Sequence, residues 1–137
     1  MLIFLFSLLI YTRFVGLEWG LPYPLHPDER NMANAIQSLN CEIKNEKLKM
    51  KDCFNPHFFA YGQFPLYLGY FTLKIFNMPN SFPNSIYILR FYSAIFSLLF
   101  LYYGYLLSKE LFKYSVLSTQ YLVLLIFSPG LIQIAHF

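Results

Sequence analysis

The segment IYILRFYSAIFSLLFLYYGYLL, from Ile86 to Leu107, carries one charge, Arg90, in an otherwise apolar run. A helix that crosses a bilayer needs about 20 mainly apolar residues, and this segment meets that requirement. Three further blocks share its character: Met1 to Leu17, interrupted by Arg13; Phe58 to Phe76, with Lys74 near its end; and Val116 to Phe137. Lys74 is compatible with a span if its ammonium group snorkels to headgroup level. Composition agrees with lipid as the solvent. The chain is 57% hydrophobic and 12% charged, whereas a soluble domain is about a quarter charged.

The first block resembles the apolar core of a signal peptide, but a signal peptide closes on a small-residue cleavage site. Here the apolar run continues through RFVGLEWGLP without one, which favours a retained helix. Arg13 inside that helix is costly unless it faces a polar interior or reaches an interface by snorkelling. Both arrangements stay open on sequence alone.

Hydrophilic residues are concentrated between Glu18 and His57, where six of the seven acidic and five of the ten basic residues lie. Within that loop, Met32, Ala35, Ile36 and Leu39 recur at helical spacing after an acidic first turn, which predicts a short helix on the membrane surface. The Lys-rich stretch that follows reads as a solvated face. The expected fold is therefore all-α, with transmembrane spans at about 1–17, 58–76, 86–107 and 116–137. One long polar loop, about 18–57, carries the short interfacial helix. Four spans with one large loop predict the N-terminal part of a longer transmembrane domain. Positive-inside reasoning makes the Lys109–Lys113 loop cytoplasmic, whereas alternation from an external first loop makes it external. The net charge of +3 is spread without a dense basic cluster, so no nucleic-acid partner is expected.

Against this background the stretch GLPYPLHPDERNMANAI stands out, because two adjacent carboxylates follow a proline-stiffened run. Pro24 and Pro27 restrict the backbone just before Asp28 and Glu29. Consecutive helical residues point about 100° apart, so one carboxylate can face a reaction centre while its neighbour supports it. Asp28 also suits a helix N-cap, with Glu29 favoured by the helix dipole. A carboxylate just outside a membrane is equally suited to take a proton from a hydroxyl.

Other candidate groups are sparser. His26 and His57 bracket the loop and His136 lies far from both, with spacings that match no compact metal motif. A divalent metal is possible, and no metal ligand is assigned. Cys41 and Cys53 would pair only in an oxidising compartment. The stretch NPHFFAYGQFPLYLGYF, with Tyr61 near its centre, reads as an interfacial aromatic belt. Arg90, four residues inside its apolar block, either snorkels or holds an anion such as a phosphate. No Gly-rich phosphate loop, nucleophile elbow or CxxC is present, which weakens nucleotide-dependent and acyl-enzyme readings.

Taken in order, RFVGLEWGLPYPLHPDE, NPHFFAYGQFPLYL, LRFYSAIFSLLFLYYGYLL and IFSPGLIQIAHF resemble the N-terminal part of the GT-C membrane glycosyltransferases. The resemblance is strongest to the dolichyl-phosphate-mannose–protein mannosyltransferase and aminoarabinose-transferase-like superfamily. It covers nearly the whole chain except the Lys-rich loop. It implies an integral, multi-pass membrane enzyme, in the plasma membrane if the source is prokaryotic, with the first polar loop extracytoplasmic. That enzyme would move a sugar from a polyprenyl-phosphate donor to a hydroxyl on a protein, lipid or glycan, with inversion. Asp28 would be the general base and Glu29 its companion. Arg90 would support the donor phosphate or the fold, and His57 and Tyr61 would contact substrate. No cofactor is implied. Two alternatives remain. A non-catalytic multipass protein, such as a transporter portion or assembly subunit, would tolerate joint substitution of Asp28 and Glu29. A polysaccharide polymerase or ligase would place its chemistry on a larger loop further along.

Overall fold

A computed structural model describes residues 2–24, 26–39, 54–111 and 115–134. Its elements are all helices: α1 (Leu2–Phe14), α2 (Pro27–Ser38), α3 (Phe64–Ile75), α4 (Phe82–Leu111), α5 (Ser115–Ile126) and α6 (Pro129–Ile134). No strand occurs among the described residues. The chain forms two compact units, one of residues 18–89 and one of residues 1–17 with 90–137. The continuous helix α4 passes from the first to the second.

Helix α4 contains the Ile86–Leu107 block and extends it at both ends, to 30 residues. It is the one described helix long and apolar enough to cross a membrane. The other apolar blocks form shorter helices than the expected spans. α1 ends at Phe14, and the chain then turns at Gly16, whose φ of 80° lies in the left-handed region that favours glycine. The second block starts its helix only at Phe64, where Pro65 occupies the first turn and needs no N–H partner. Phe58 to Gln63 therefore form a loop. The fourth block is split before Pro129, which cannot continue the α5 hydrogen-bond ladder. Helices of 12 or 13 residues reach about 20 Å at 1.5 Å per residue.

In the 18–89 unit, α2 packs on α3 through the apolar stripe anticipated from sequence. Ala35, Ile36 and Leu39 are buried together with Leu66 and Leu73. The stripe is thus covered by protein, with α3 taking the place expected for a bilayer surface along this face. Gly69 permits the close approach, because a Cβ there would sit 2.9 Å from Ile36 Cδ1. The C-terminal carbonyl of Ile36 accepts from Asn80 Nδ2 at 3.3 Å. α3 closes on a left-handed Asn77 (φ 52°), with Met78 N–H donating to Leu73 O and Asn77 N–H to Lys74 O. These two bonds satisfy the last carbonyls of the helix, and Pro79 follows as a stop.

In the other unit, Leu9, Leu101 and Ile126 form a buried cluster, and Phe14 meets Phe91 edge-on at 5.7 Å. Arg13 is wholly enclosed (0% exposed), donating from Nε to Ser97 Oγ at 3.0 Å and from Nη1 to Thr12 Oγ1 at 3.3 Å. Of the two arrangements open on sequence, it adopts the polar interior. Its Nη2 has no hydrogen-bond partner among the described residues.

Candidate active site

The polar start of α2 is set by its prolines and by His26. Pro27 is the first helical residue, where its fixed φ suits the helix and its missing N–H costs nothing. The N-cap is His26, in extended conformation (φ −120°, ψ 138°), and its Nδ1 accepts the Asp28 N–H at 3.3 Å. This corrects the reading of Asp28 as the cap. Asp28 lies one turn position inside the helix, so its side chain is not consumed by capping.

The two adjacent carboxylates part company as helix geometry requires. Glu29 is buried at 5% exposure on the protein side of α2, whereas the Asp28 side chain keeps 42% of its surface open. Asp28 Oδ2 lies 3.5 Å from His26 Nδ1. The Tyr61 phenol is held above its ordinary pKa, chiefly by hydrogen-bonding interaction with the Asp28 carboxylate. Some desolvation and the carboxylate's charge push in the same direction. Tyr61 therefore stays protonated and remains a donor across the neutral range.

Tyr61 reaches Asp28 from a distant loop that is tied down on two sides. Ser38 Oγ, at the end of α2, donates to Ala35 O at 2.7 Å and to Pro56 O at 3.1 Å. Tyr67 Oη, in the first turn of α3, donates to Phe54 O at 2.6 Å. Between these anchors, Asn55 Oδ1 accepts the His57 N–H at 3.0 Å in an Asx turn. His57 adopts φ 53°, an uncommon conformation for a residue with a Cβ. Phe58 then packs against Tyr61, with ring centroids 5.6 Å apart.

Of the residues expected to form a site, Asp28 and Tyr61 lie near enough for the carboxylate to raise the phenol's pKa. His57 lies exposed on the same anchored loop. Arg90 belongs to the other unit, where it is buried and its Nη1 donates to Leu17 O at 2.9 Å. Cys41, Cys53 and His136 lie outside the described residues. No group of three His, Cys, Asp or Glu suited to a metal occurs among the described residues. His26 is the residue whose place at the site was missed. Its signal was available: a side-chain acceptor directly before a proline that opens a helix occupies the N-cap position.

Chemically, the arrangement offers one half-exposed carboxylate with a fixed hydrogen-bond donor on one flank and an imidazole on the other. Exposed Phe59 and Phe64 lie close in sequence to Tyr61. Such a carboxylate can receive a proton from a hydroxyl brought to its open side. No protein-family model matches this chain, and no curated protein or solved structure is significantly similar to it.

Proposed function

We propose that this chain is part of a multi-pass membrane glycosyltransferase that uses a polyprenyl-phosphate-linked sugar, with Asp28 as its general base. The observation that carries the reading is the Asp28 carboxylate itself, partly open and beside the His26 imidazole, in a chain whose helix α4 has the length and apolarity of a membrane span. An amphiphilic donor calls for a site at the lipid boundary, and a hydroxyl acceptor calls for a base.

In the proposed step the acceptor hydroxyl gives its proton to Asp28 as its oxygen attacks the anomeric carbon. The bond between that carbon and the donor's phosphate oxygen breaks, and the polyprenyl phosphate leaves with the bonding electrons. A single displacement inverts the anomeric centre. The proton on Asp28 then passes to solvent, restoring the carboxylate. Tyr61 holds one direction of the carboxylate fixed, and Glu29, buried beneath, belongs to the support. His57 is placed on the exposed loop for contact with donor or acceptor.

The test is transfer from a radiolabelled polyprenyl-phosphate sugar in membranes that contain the protein. Wild-type membranes give a glycoside of inverted configuration. Asp28→Asn lowers the rate by about 100-fold or more, the scale of a lost general base, with membrane insertion intact. Wild-type transfer by a correctly inserted Asp28→Asn protein overturns the assignment.

A further inference from the structure

The placement of His26 extends this reading, on which it rests: we propose that the His26 imidazole is the positioning residue that holds the Asp28 carboxylate toward its acceptor. Pro27 contributes no N–H, so the first main-chain donor of α2 is the Asp28 amide, and it is bound by His26 Nδ1 at 3.3 Å. As an acceptor of the Asp28 N–H, Nδ1 presents its lone pair to the helix, the geometry of an imidazole with its hydrogen on Nε2. The same Nδ1 lies 3.5 Å from Asp28 Oδ2. The ring thus touches both ends of one residue, binding the main chain of Asp28 and standing beside its carboxylate.

On the other flank stands Tyr61, whose phenol the carboxylate influences. With the phenol on one flank and the imidazole 3.5 Å away on the other, the directions open to the carboxylate are restricted. A residue that only started the helix would need no ring, because an Asn or Ser oxygen fills the same cap. The extended backbone at His26, set between Pro24 and Pro27, fixes where the ring can stand. His26 therefore acts on the reaction through Asp28 and needs no contact with substrate.

Two replacements separate positioning from capping. His26→Ala removes both the cap and the ring, whereas His26→Asn restores the cap through Oδ1 and leaves the ring out. In the intact protein in detergent, His26→Ala lowers the melting temperature and His26→Asn returns it to within about a degree of wild type. Both variants lose transfer, about tenfold or more in kcat, with the acceptor KM unchanged. Full recovery of kcat by His26→Asn overturns the proposal and leaves His26 a cap.

A readout independent of transfer accompanies these rates. Long-range 1H–15N spectra of histidine-labelled protein place the His26 proton on Nε2, and the Asp28 side-chain carboxyl 13C resonance moves in His26→Asn. A proton on Nδ1, or an unmoved carboxyl resonance, overturns the proposal whatever the enzyme does. If the spectra behave as expected and wild type transfers no sugar, the glycosyltransferase reading fails while His26 still orients Asp28.

Discussion

In the unit of residues 18–89, the side chains of the site stand half open, with Asp28 and His26 about equally exposed and Tyr61 turned outward. In the unit of residues 1–17 and 90–137 the pattern is reversed. Arg13 and Arg90 are enclosed, while Phe96, Leu99, Phe100, Tyr103 and Leu107 of α4 face outward. Water rewards the first arrangement, since it solvates the charges and leaves the apolar stripe of α2 to be covered by α3. Lipid rewards the second, because polar groups must then find partners inside the protein and apolar side chains lose nothing at the surface. In the proposed function the first unit would carry the chemistry and the second would meet the lipid.

The contrast is most easily broken at the cores. Ile36 is fully buried between α2 and α3 and leaves no surface to refill its place. Ile36→Ala is expected to cost about 2–5 kcal/mol of unfolding free energy and to reduce transfer, since α2 carries Asp28. A denaturation curve with an unchanged midpoint would show that the α2–α3 contact does not hold the site. In the other unit the expected effect is smaller and its sign depends on the partner removed. Ser97→Ala, which orphans Arg13 Nε, costs about 1–3 kcal/mol. Arg13→Met, which removes the guanidinium altogether, is neutral or stabilising in the same measurement. A large loss from Arg13→Met would show that the charge is compensated by a group outside the described residues.

Smaller effects sharpen the account of the site. Ser38→Ala removes a hydroxyl shared between Ala35 O and Pro56 O, at about 0.5–1.5 kcal/mol. Its effect on transfer should exceed its effect on stability, because it frees the loop that brings Tyr61 to Asp28. The smallest effect lies at high pH. Tyr61 has a folded pKa raised above its unfolded value, so its contribution to stability is present below about pH 10, the ordinary phenol value. That contribution is lost as pH rises through the folded value. Asp28→Asn should move the Tyr61 titration down toward the ordinary value, as followed by the ring 13Cζ resonance assigned with Tyr61→Phe. An unmoved titration would mean that Asp28 is not the acceptor of the Tyr61 hydrogen bond.

The local features of this fold were legible in the sequence where neighbouring residues decide them. Pro27 and the Met32, Ala35, Ile36, Leu39 spacing marked α2, and the long apolar run from Ile86, with Arg90 its one charge, marked α4. The division of labour between Asp28 and Glu29 was legible as an angle of about 100°, but not as a direction, because only α3 determines which side of α2 is covered. The pairing of Tyr61 with Asp28 was not legible at all. It depends on Ser38 and Tyr67 gripping the backbone of Pro56 and Phe54, bonds to main-chain atoms that any residue offers. The lengths of the apolar helices were overread for a related reason. Gly16, Pro65 and Pro129 end or split the blocks that hydropathy alone runs together.

The central claim is that the open carboxylate, and not its buried neighbour, takes the proton. Transfer rates of Asp28→Asn and Glu29→Gln, measured side by side at equal membrane content, test it directly. The account predicts a loss of about 100-fold or more for Asp28→Asn and a clearly smaller loss for Glu29→Gln, accompanied by reduced stability. Equal losses, or a greater loss from Glu29→Gln in a stably inserted protein, would contradict it.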